Sequence, residues 1–200
     1  MAAQYGAHEV MELHEVLTDT IDGINQFELY RPYAKDPQLQ TIIDRHIQFM
    51  VQEYNNLVSA LNQQGIGMSG TGYRTPRTNA SMSPTYGLNN PAPQTPNTSP
   101  QEMNDQDVAS GMLGCHKASA MMRMIAAQEI ANPQLRRMVQ QCAVNSSEMA
   151  YETFQYMNQK GYYQVPTMKE MTTNTVLNTY QPAQMPLTGQ PQAPTQQQFQ

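Results

Sequence analysis

The chain has 200 residues, a formal net charge of -5 and a sequence pI near 5.3. This acidic balance, with no basic run interleaved with aromatic residues, gives no electrostatic reason to expect a nucleic-acid partner. No segment approaches the roughly 20 apolar residues that span a bilayer, and the start of the chain lacks the pattern of a secretory signal peptide, so we expect neither a membrane anchor nor export.

The first predicted helix runs from about His8 to Tyr30. Its apolar residues recur at helical spacing and form one stripe, which we expect to face the core. This stripe contains Val10, Leu13, Leu17, Ile21 and Ile24. Because proline lacks a backbone donor and disfavours helical geometry in the residue before it, Pro32 disturbs the end of this helix. The helix therefore either ends near Tyr30 or kinks and continues to Ala34.

The second predicted helix runs from Pro37 to about Gln64, with Asp36 as its cap. Residues 66–103 follow and contain repeated prolines with Gly, Ser, Thr and Asn between them. They show no sustained apolar period. The sequence therefore predicts a flexible crossover between the second helix and the rest of the chain.

The fourth predicted helix has the clearest boundaries in the chain. Asn132 can cap its first turn, Pro133 suits the first helical position, and Gly161 can take the left-handed conformation that ends it. The third helix begins near Asn104 or Asp105 and ends just before that cap. Residues 167–200 are rich in Thr, Pro and Gln, and we expect them to be disordered because they offer little apolar surface to bury.

Residues 133–161 repeat the frame of residues 37–65 without a gap, at a separation of 96 residues. The two stretches share an opening Pro-Gln-Leu, a late Asn-Gln and a closing Gly, and their apolar positions are in phase, which indicates an internal duplication. Two helical hairpins, residues 5–65 and 104–166, joined by a long crossover predict an all-α, ferritin-like four-helix bundle. The hairpins could pair within one chain or between two chains.

The sequence at the end of the fourth helix, Phe-Gln-Tyr-Met-Asn-Gln-Lys-Gly-Tyr-Tyr-Gln-Val-Pro (residues 154–166), follows a helix that starts Asn-Pro-Gln-Leu-Arg. Together these segments resemble the coat F family of endospore coat proteins. The resemblance covers residues 105–166 well and residues 8–65 more faintly. It implies a structural protein of the spore coat built on a ferritin-like bundle. The family's acidic residue near position 116 is replaced here by Gly-Cys-His-Lys, so the resemblance carries no metal role to that position.

The residues expected of a ferritin-like metal centre are missing. Such a centre takes a Glu from each of two helices and a Glu-x-x-His pair from each of the other two. In this chain Glu53, Glu148 and Glu152 are each followed three residues later by a residue other than His. We therefore predict no metal and no cofactor.

Three polar residues fall in the middle of predicted apolar faces and are expected to be buried together: Glu28, His46 and Glu53. If the first two helices turn tightly near residues 35 and 36, Glu28 lies opposite His46 and can pair with it. Our interpretation is a satisfied polar cluster that fixes the register of the helices. A vestigial metal site and a catalytic use are the alternatives.

The second hairpin is expected to lack such a cluster. The positions 96 residues after the three polar residues are Met124, Cys142 and Met149, which supply no carboxylate or imidazole. The cysteines, Cys115 and Cys142, lack metal-binding spacing and are expected to be free thiols. His116 lies beside Cys115, but neighbouring residues on a helix point about 100° apart and cannot act as a nucleophile and its base.

Four tyrosines, Tyr73 and Tyr86 in the crossover and Tyr162 and Tyr163 after the fourth helix, are candidates for oxidative cross-linking in an insoluble coat. The family resemblance motivates this hypothesis, and the alternative is that they are ordinary linker and capping residues.

These observations predict a non-enzymatic protein that acts by assembly. We expect it to be made in the mother-cell cytoplasm and deposited in the spore coat, with other coat proteins, or a second copy of the chain, as partners. The main alternative is a ferritin-like metal-binding or oxidase protein with a degenerate site. A binding module for a small apolar ligand is a third possibility.

Overall fold

The structure is a computed structural model that describes residues 5–62, 71–76 and 82–183. It is all-helical. Four long helices are present: α1 (Ala7–Tyr30), α2 (Pro37–Leu61), α3 (Asp105–Glu129) and α4 (Pro133–Gln159). The described residues contain no strand, and an isolated bridge joins Tyr86 to Val165. None of the helices in these ranges has the length and apolar content that a membrane crossing requires.

The helix boundaries lie where the sequence predicts them. The side chains of Asp36, Asn104 and Asn132 accept hydrogen bonds from backbone amides in the first turns of α2, α3 and α4. Gly161 follows α4 with a φ of +76°, a left-handed conformation that glycine adopts at little cost. At Pro32 the choice left open by the sequence is resolved, because α1 ends at Tyr30 and Arg31–Tyr33 form one 3-10 turn.

The long helices form a four-helix bundle with one long crossover. Helix α1 packs against α2 and α3, and α4 packs against α3 and α2. Asn62 ends the first hairpin and Asn104 begins the second, so the intervening chain is the predicted crossover. Apolar residues gather into two clusters along the bundle. One contains Phe27, Leu39, Ile43, Met112 and Met149, and the other contains Leu13, Val16, Leu57, Ala126 and Val139.

Residues 166–200 form a separate unit from residues 1–165. Within the tail that the sequence predicts to be disordered, Glu170–Leu177 form a short helix, α5, which has no buried residue. Residues 184–200 lie outside the described residues.

The buried face of α1 differs from the predicted stripe. Along almost the whole helix, the buried residue lies one position before the predicted one. Leu13 is buried as expected, but Val10 and Ile21 are exposed. The buried face instead contains Glu9, Leu13, Val16, Thr20, Gly23 and Phe27. Gly23 lies on this face, where an added Cβ would be in ordinary van der Waals contact with the Cys115 sulfur at 3.5 Å and the Met50 sulfur at 3.7 Å.

Two further residues explain why α1 buries a partly polar face. The Glu9 carboxylate accepts a hydrogen bond of 2.9 Å from the amide of Asn132, at the start of α4. Thr20 receives a hydrogen bond of 2.9 Å from Arg123 on α3. Because buried polar groups are stable only when paired, these contacts allow α1 to bury a face that is less apolar than the predicted stripe.

Candidate functional site: a buried ionic network

Glu152 is a residue of α4, and its side chain is fully buried on the side of α4 that faces α2. Its carboxylate accepts hydrogen bonds from the Arg45 guanidinium, the Tyr73 hydroxyl and the His46 ring, the last at 3.0 Å. Burial acts to raise the pKa of Glu152, but the hydrogen bonds from His46 and Tyr73 and the charge of Arg45 outweigh it, so the pKa is lowered. Glu152 is therefore an ionised carboxylate inside the bundle.

His46 continues this network towards α3. Its Nε2 faces Glu152, and its Nδ1 lies 2.9 Å from Nε2 of His116, which is also fully buried. Since Glu152 accepts only, we assign the proton of a neutral His46 to Nε2, which leaves Nδ1 to accept from His116. Burial lowers the pKa of His46 and lowers that of His116 further. The result is a line of two neutral imidazoles that ends on a carboxylate.

A second group of buried polar residues surrounds Arg123 on α3. Its guanidinium lies 3.0 Å from the Glu53 carboxylate, 3.4 Å from that of Asp19, and donates hydrogen bonds to Thr20 at 2.9 Å and Ser146 at 2.8 Å. These contacts tie α3 to α1, α2 and α4. An internal arginine thus holds all four helices together.

Glu53 also accepts a hydrogen bond of 2.6 Å from the Asn145 side chain. Burial raises the pKa of Glu53, and the charge of Arg123 opposes that shift. Asn145 in turn accepts from the backbone amide of Tyr73 at 2.8 Å, which joins the Arg123 group to the Glu152 group through the crossover.

The structure brings together only part of the predicted cluster. His46 and Glu53 are buried, but Glu28 is exposed and does not belong with them. The prediction that Glu28 faces His46 is wrong because α1 is rotated by one residue, which places Phe27 inside. The Phe27 ring lies 5.0 Å from that of His116 and 6.3 Å from that of His46.

The prediction that the second hairpin supplies no carboxylate or imidazole is also wrong. Glu152 and His116, both on the second hairpin, pair with His46, while Met124 is exposed. The sequence carried a signal for both. Glu152 follows Asn145 and Met149 at helical spacing, and His116 lies on a stripe with Met112, Ser119 and Arg123. Glu152 and His116 do not lie 96 residues after Glu28, His46 or Glu53, so the predicted repeat does not point to them.

The candidate cross-linking tyrosines lie in different environments. Tyr86 is 66% exposed, Tyr163 is partly exposed, and Tyr162 is half-buried against Tyr156 at a ring distance of 6.2 Å. Tyr73 is only 8% exposed, so the expectation that it is an accessible linker residue is wrong. Both cysteines are free thiols, as predicted, and of the two, which are also expected to be buried, Cys142 is buried and Cys115 is only partly so.

Across the described ranges, no group of three or more His, Cys, Asp or Glu side chains is arranged to hold a metal ion. The contacts that the two buried carboxylates already make are consistent with this finding. The Glu53 carboxylate already contacts a guanidinium, and the Glu152 carboxylate contacts a guanidinium and an imidazole. A carboxylate that is neutralised by a protein cation is a poor competitor for a metal cation.

The sequence and the fold are similar to those of known coat proteins. A family model for the Coat F domain matches residues 104–166. The spore coat protein F-like protein YhcQ of Bacillus subtilis (strain 168) is 33% identical over 180 residues, which cover 90% of this chain and 82% of YhcQ. The chain belongs to the coat F family. The resemblance stated from the sequence is thus confirmed.

The coat F fold is also represented among solved structures. A crystal structure of a protein from Bacillus halodurans C-125, described as a spore coat protein, aligns with a TM-score of 0.60 and 16% sequence identity. The alignment covers 84% of this chain and 97% of the other. At this identity the likeness concerns the helical fold alone.

Proposed function

We propose that this coat F family member is a structural component of the bacterial spore coat that acts by protein-protein assembly and catalyses no reaction. Family membership supports the coat location, and with it other coat proteins as partners. The observation that carries the non-catalytic part is the pairing of the interior carboxylates. The Arg123 and Arg45 guanidinium groups neutralise Glu53 and Glu152, and Glu152 also accepts a hydrogen bond from His46, so the bundle interior is a closed ionic network.

An exposed apolar stripe on α3 supports an assembly role. Met121 is 69% exposed and Ile125 is 63% exposed, and Met124 lies on the same side of the helix. Residues three and four apart lie next to one another on a helix surface. Adjacent exposed large apolar side chains are typical of surfaces that contact other proteins.

We expect the double substitution Met121→Ser and Ile125→Ser to reduce incorporation of the chain into the coat of sporulating cells by about tenfold, with little effect on folding, because it removes apolar contact area without touching the core. The measurement is the amount of chain in purified coat extracts relative to the total made. Gln128→Ser, on the same exposed side of α3, is the matched control and should leave incorporation unchanged.

A second variant distinguishes an assembly role from a catalytic or metal-binding role. Glu152→Gln keeps the shape of the side chain but removes its charge, so a catalytic or metal-binding role would be lost while an assembly role would survive in a folded chain. Normal incorporation of Glu152→Gln together with loss for the stripe variant supports the proposal. The reverse pattern would favour the ferritin-like alternative.

A further inference from the structure

A slot between α2 and α4 holds the ring of Tyr73, which belongs to the crossover rather than to the helices. The walls of the slot are aromatic. The ring of Phe49 lies 4.9 Å from the Tyr73 ring and that of His46 lies 5.5 Å from it, both nearly perpendicular at 76° and 83°. Edge-to-face packing of this type favours an aromatic ring over an aliphatic side chain.

The floor of the slot recognises a hydroxyl group. The Tyr73 hydroxyl donates to Glu152 and accepts from Nε of Arg45 at 3.2 Å. The acceptor, Glu152, is fully buried, and the donor, Arg45, has a side chain that is 32% exposed, so the hydroxyl is bound at the edge of the bundle interior. An acceptor and a donor that converge on one oxygen, at the end of an aromatic slot, match a phenol and leave a plain benzene ring unsatisfied.

Within the described residues 71–76, the occupant contacts the helices through Tyr73 and the Thr71 carbonyl, which accepts a hydrogen bond of 3.2 Å from Asn145. This segment has no regular secondary structure, its Tyr73 side chain is buried, and Thr71, Gly72 and Arg74 are exposed. Besides its ring and hydroxyl, Tyr73 is fixed by its backbone amide, which donates to Asn145 at 2.8 Å. The segment thus resembles a peptide ligand that is tethered to its own receptor.

We propose that the slot formed by Arg45, His46, Phe49 and Glu152 is a phenol-binding site that Tyr73 fills as a built-in ligand and that an external phenol ring can enter when the segment lifts. The ring can come from a free phenol or from a tyrosyl peptide. The two sources differ in their backbone contacts, because only a peptide offers the amide that donates to Asn145 and the carbonyl that accepts from it.

The test uses the full chain with Tyr73→Ala, which empties the slot. We expect 4-methylphenol to raise the Tm of this variant in a saturable manner and toluene, which lacks the hydroxyl, to do so at least about tenfold more weakly. A peptide with the sequence Thr-Gly-Tyr-Arg-Thr-Pro should bind more tightly than the same peptide with Phe for Tyr. Adding Glu152→Gln to Tyr73→Ala should weaken the preference for the hydroxyl, because a neutral amide oxygen replaces the charged acceptor.

Equal responses to 4-methylphenol and toluene, or a preference that Glu152→Gln leaves unchanged, would overturn the proposal. A peptide that binds no better than 4-methylphenol assigns the site to free phenols, and a tighter peptide assigns it to tyrosyl segments. If Tyr73→Ala does not fold, tryptic cleavage after Arg74 in the unaltered chain replaces the Tm. A high concentration of 4-methylphenol must then accelerate that cleavage more than the same concentration of toluene does, and equal rates would contradict the proposal.

Discussion

Replacing Arg123 with Met is expected to lower the free energy of unfolding by about 3–5 kcal/mol, a large part of the stability of a domain of this size. The substitution leaves the Glu53 carboxylate buried without its cation, and it removes the hydrogen bonds to Thr20 and Ser146. Because these partners lie on the three other helices, the loss affects the packing of the whole bundle. Urea unfolding followed by far-UV circular dichroism measures it.

Arg137→Met is the matched control, because Arg137 is exposed on α4. It should change stability by no more than about 0.5 kcal/mol. Adding Glu53→Gln to Arg123→Met should restore part of the loss, since the double variant no longer buries an unpaired charge. A loss below about 1 kcal/mol for Arg123→Met would contradict the role given to the arginine.

Stability is expected to fall as the pH is lowered from about 6.5 towards 4.5, with a slope of up to about 1.4 kcal/mol per pH unit for each buried histidine. Burial lowers the pKa values of His46 and His116 below the ordinary 6.5 that they regain on unfolding. The unfolded chain therefore binds more protons in this range. The stability that these histidines contribute is complete above pH 6.5 and is lost below it.

The two glutamates of the network change the pH dependence of stability in different ways. Because the pKa of Glu53 is raised, the folded state binds a proton at a higher pH than the unfolded state does. Above about pH 4.5 this effect opposes the loss of stability that the histidines cause. The lowered pKa of Glu152 adds to the loss only below that value. Because the pKa values of both histidines are lowered and that of His116 is lowered furthest, we expect the histidines to outweigh Glu53 and stability to fall below pH 6.5.

His116→Gln isolates the contribution of one histidine. The variant should show a flatter dependence of unfolding free energy on pH, by up to about 1.4 kcal/mol per pH unit. His14→Gln, at an exposed position of α1, should keep the slope of the parent chain. Parallel curves for His116→Gln and the parent would mean that His116 does not enter the folded state as a neutral ring.

The sequence predicts the helix boundaries well because they depend on local chemistry. Asp36, Asn132 and Gly161 need only their own first or last turn to act as caps. The rotation of α1 is different, because it depends on what faces the helix from elsewhere. Val10 and Ile21 are apolar enough to be core residues, and nothing near them in sequence indicates that Gly23 and Thr20 meet Cys115 and Arg123.

The same distinction holds for the buried network. His46 and Glu53 were identified because they interrupt an apolar stripe within one helix. Their partners could not be assigned in that way, since pairing His46 with Glu152 requires the register between α2 and α4. Tyr73 is named from the sequence as a cross-linking candidate, but its burial is not predictable, because it lies in a segment with linker composition and only tertiary contacts bring its side chain into the bundle.

Arg123 and Arg45 pair with the interior carboxylates of Glu53 and Glu152, and on this basis we propose a structural bundle without a metal centre. Elemental analysis of the full chain, purified after expression with added iron and manganese, tests it most directly. We expect well under one equivalent of either metal per chain. About two equivalents, the content of a ferritin-like di-metal centre, retained after dialysis and lost in Glu53→Gln and Glu152→Gln, would contradict it.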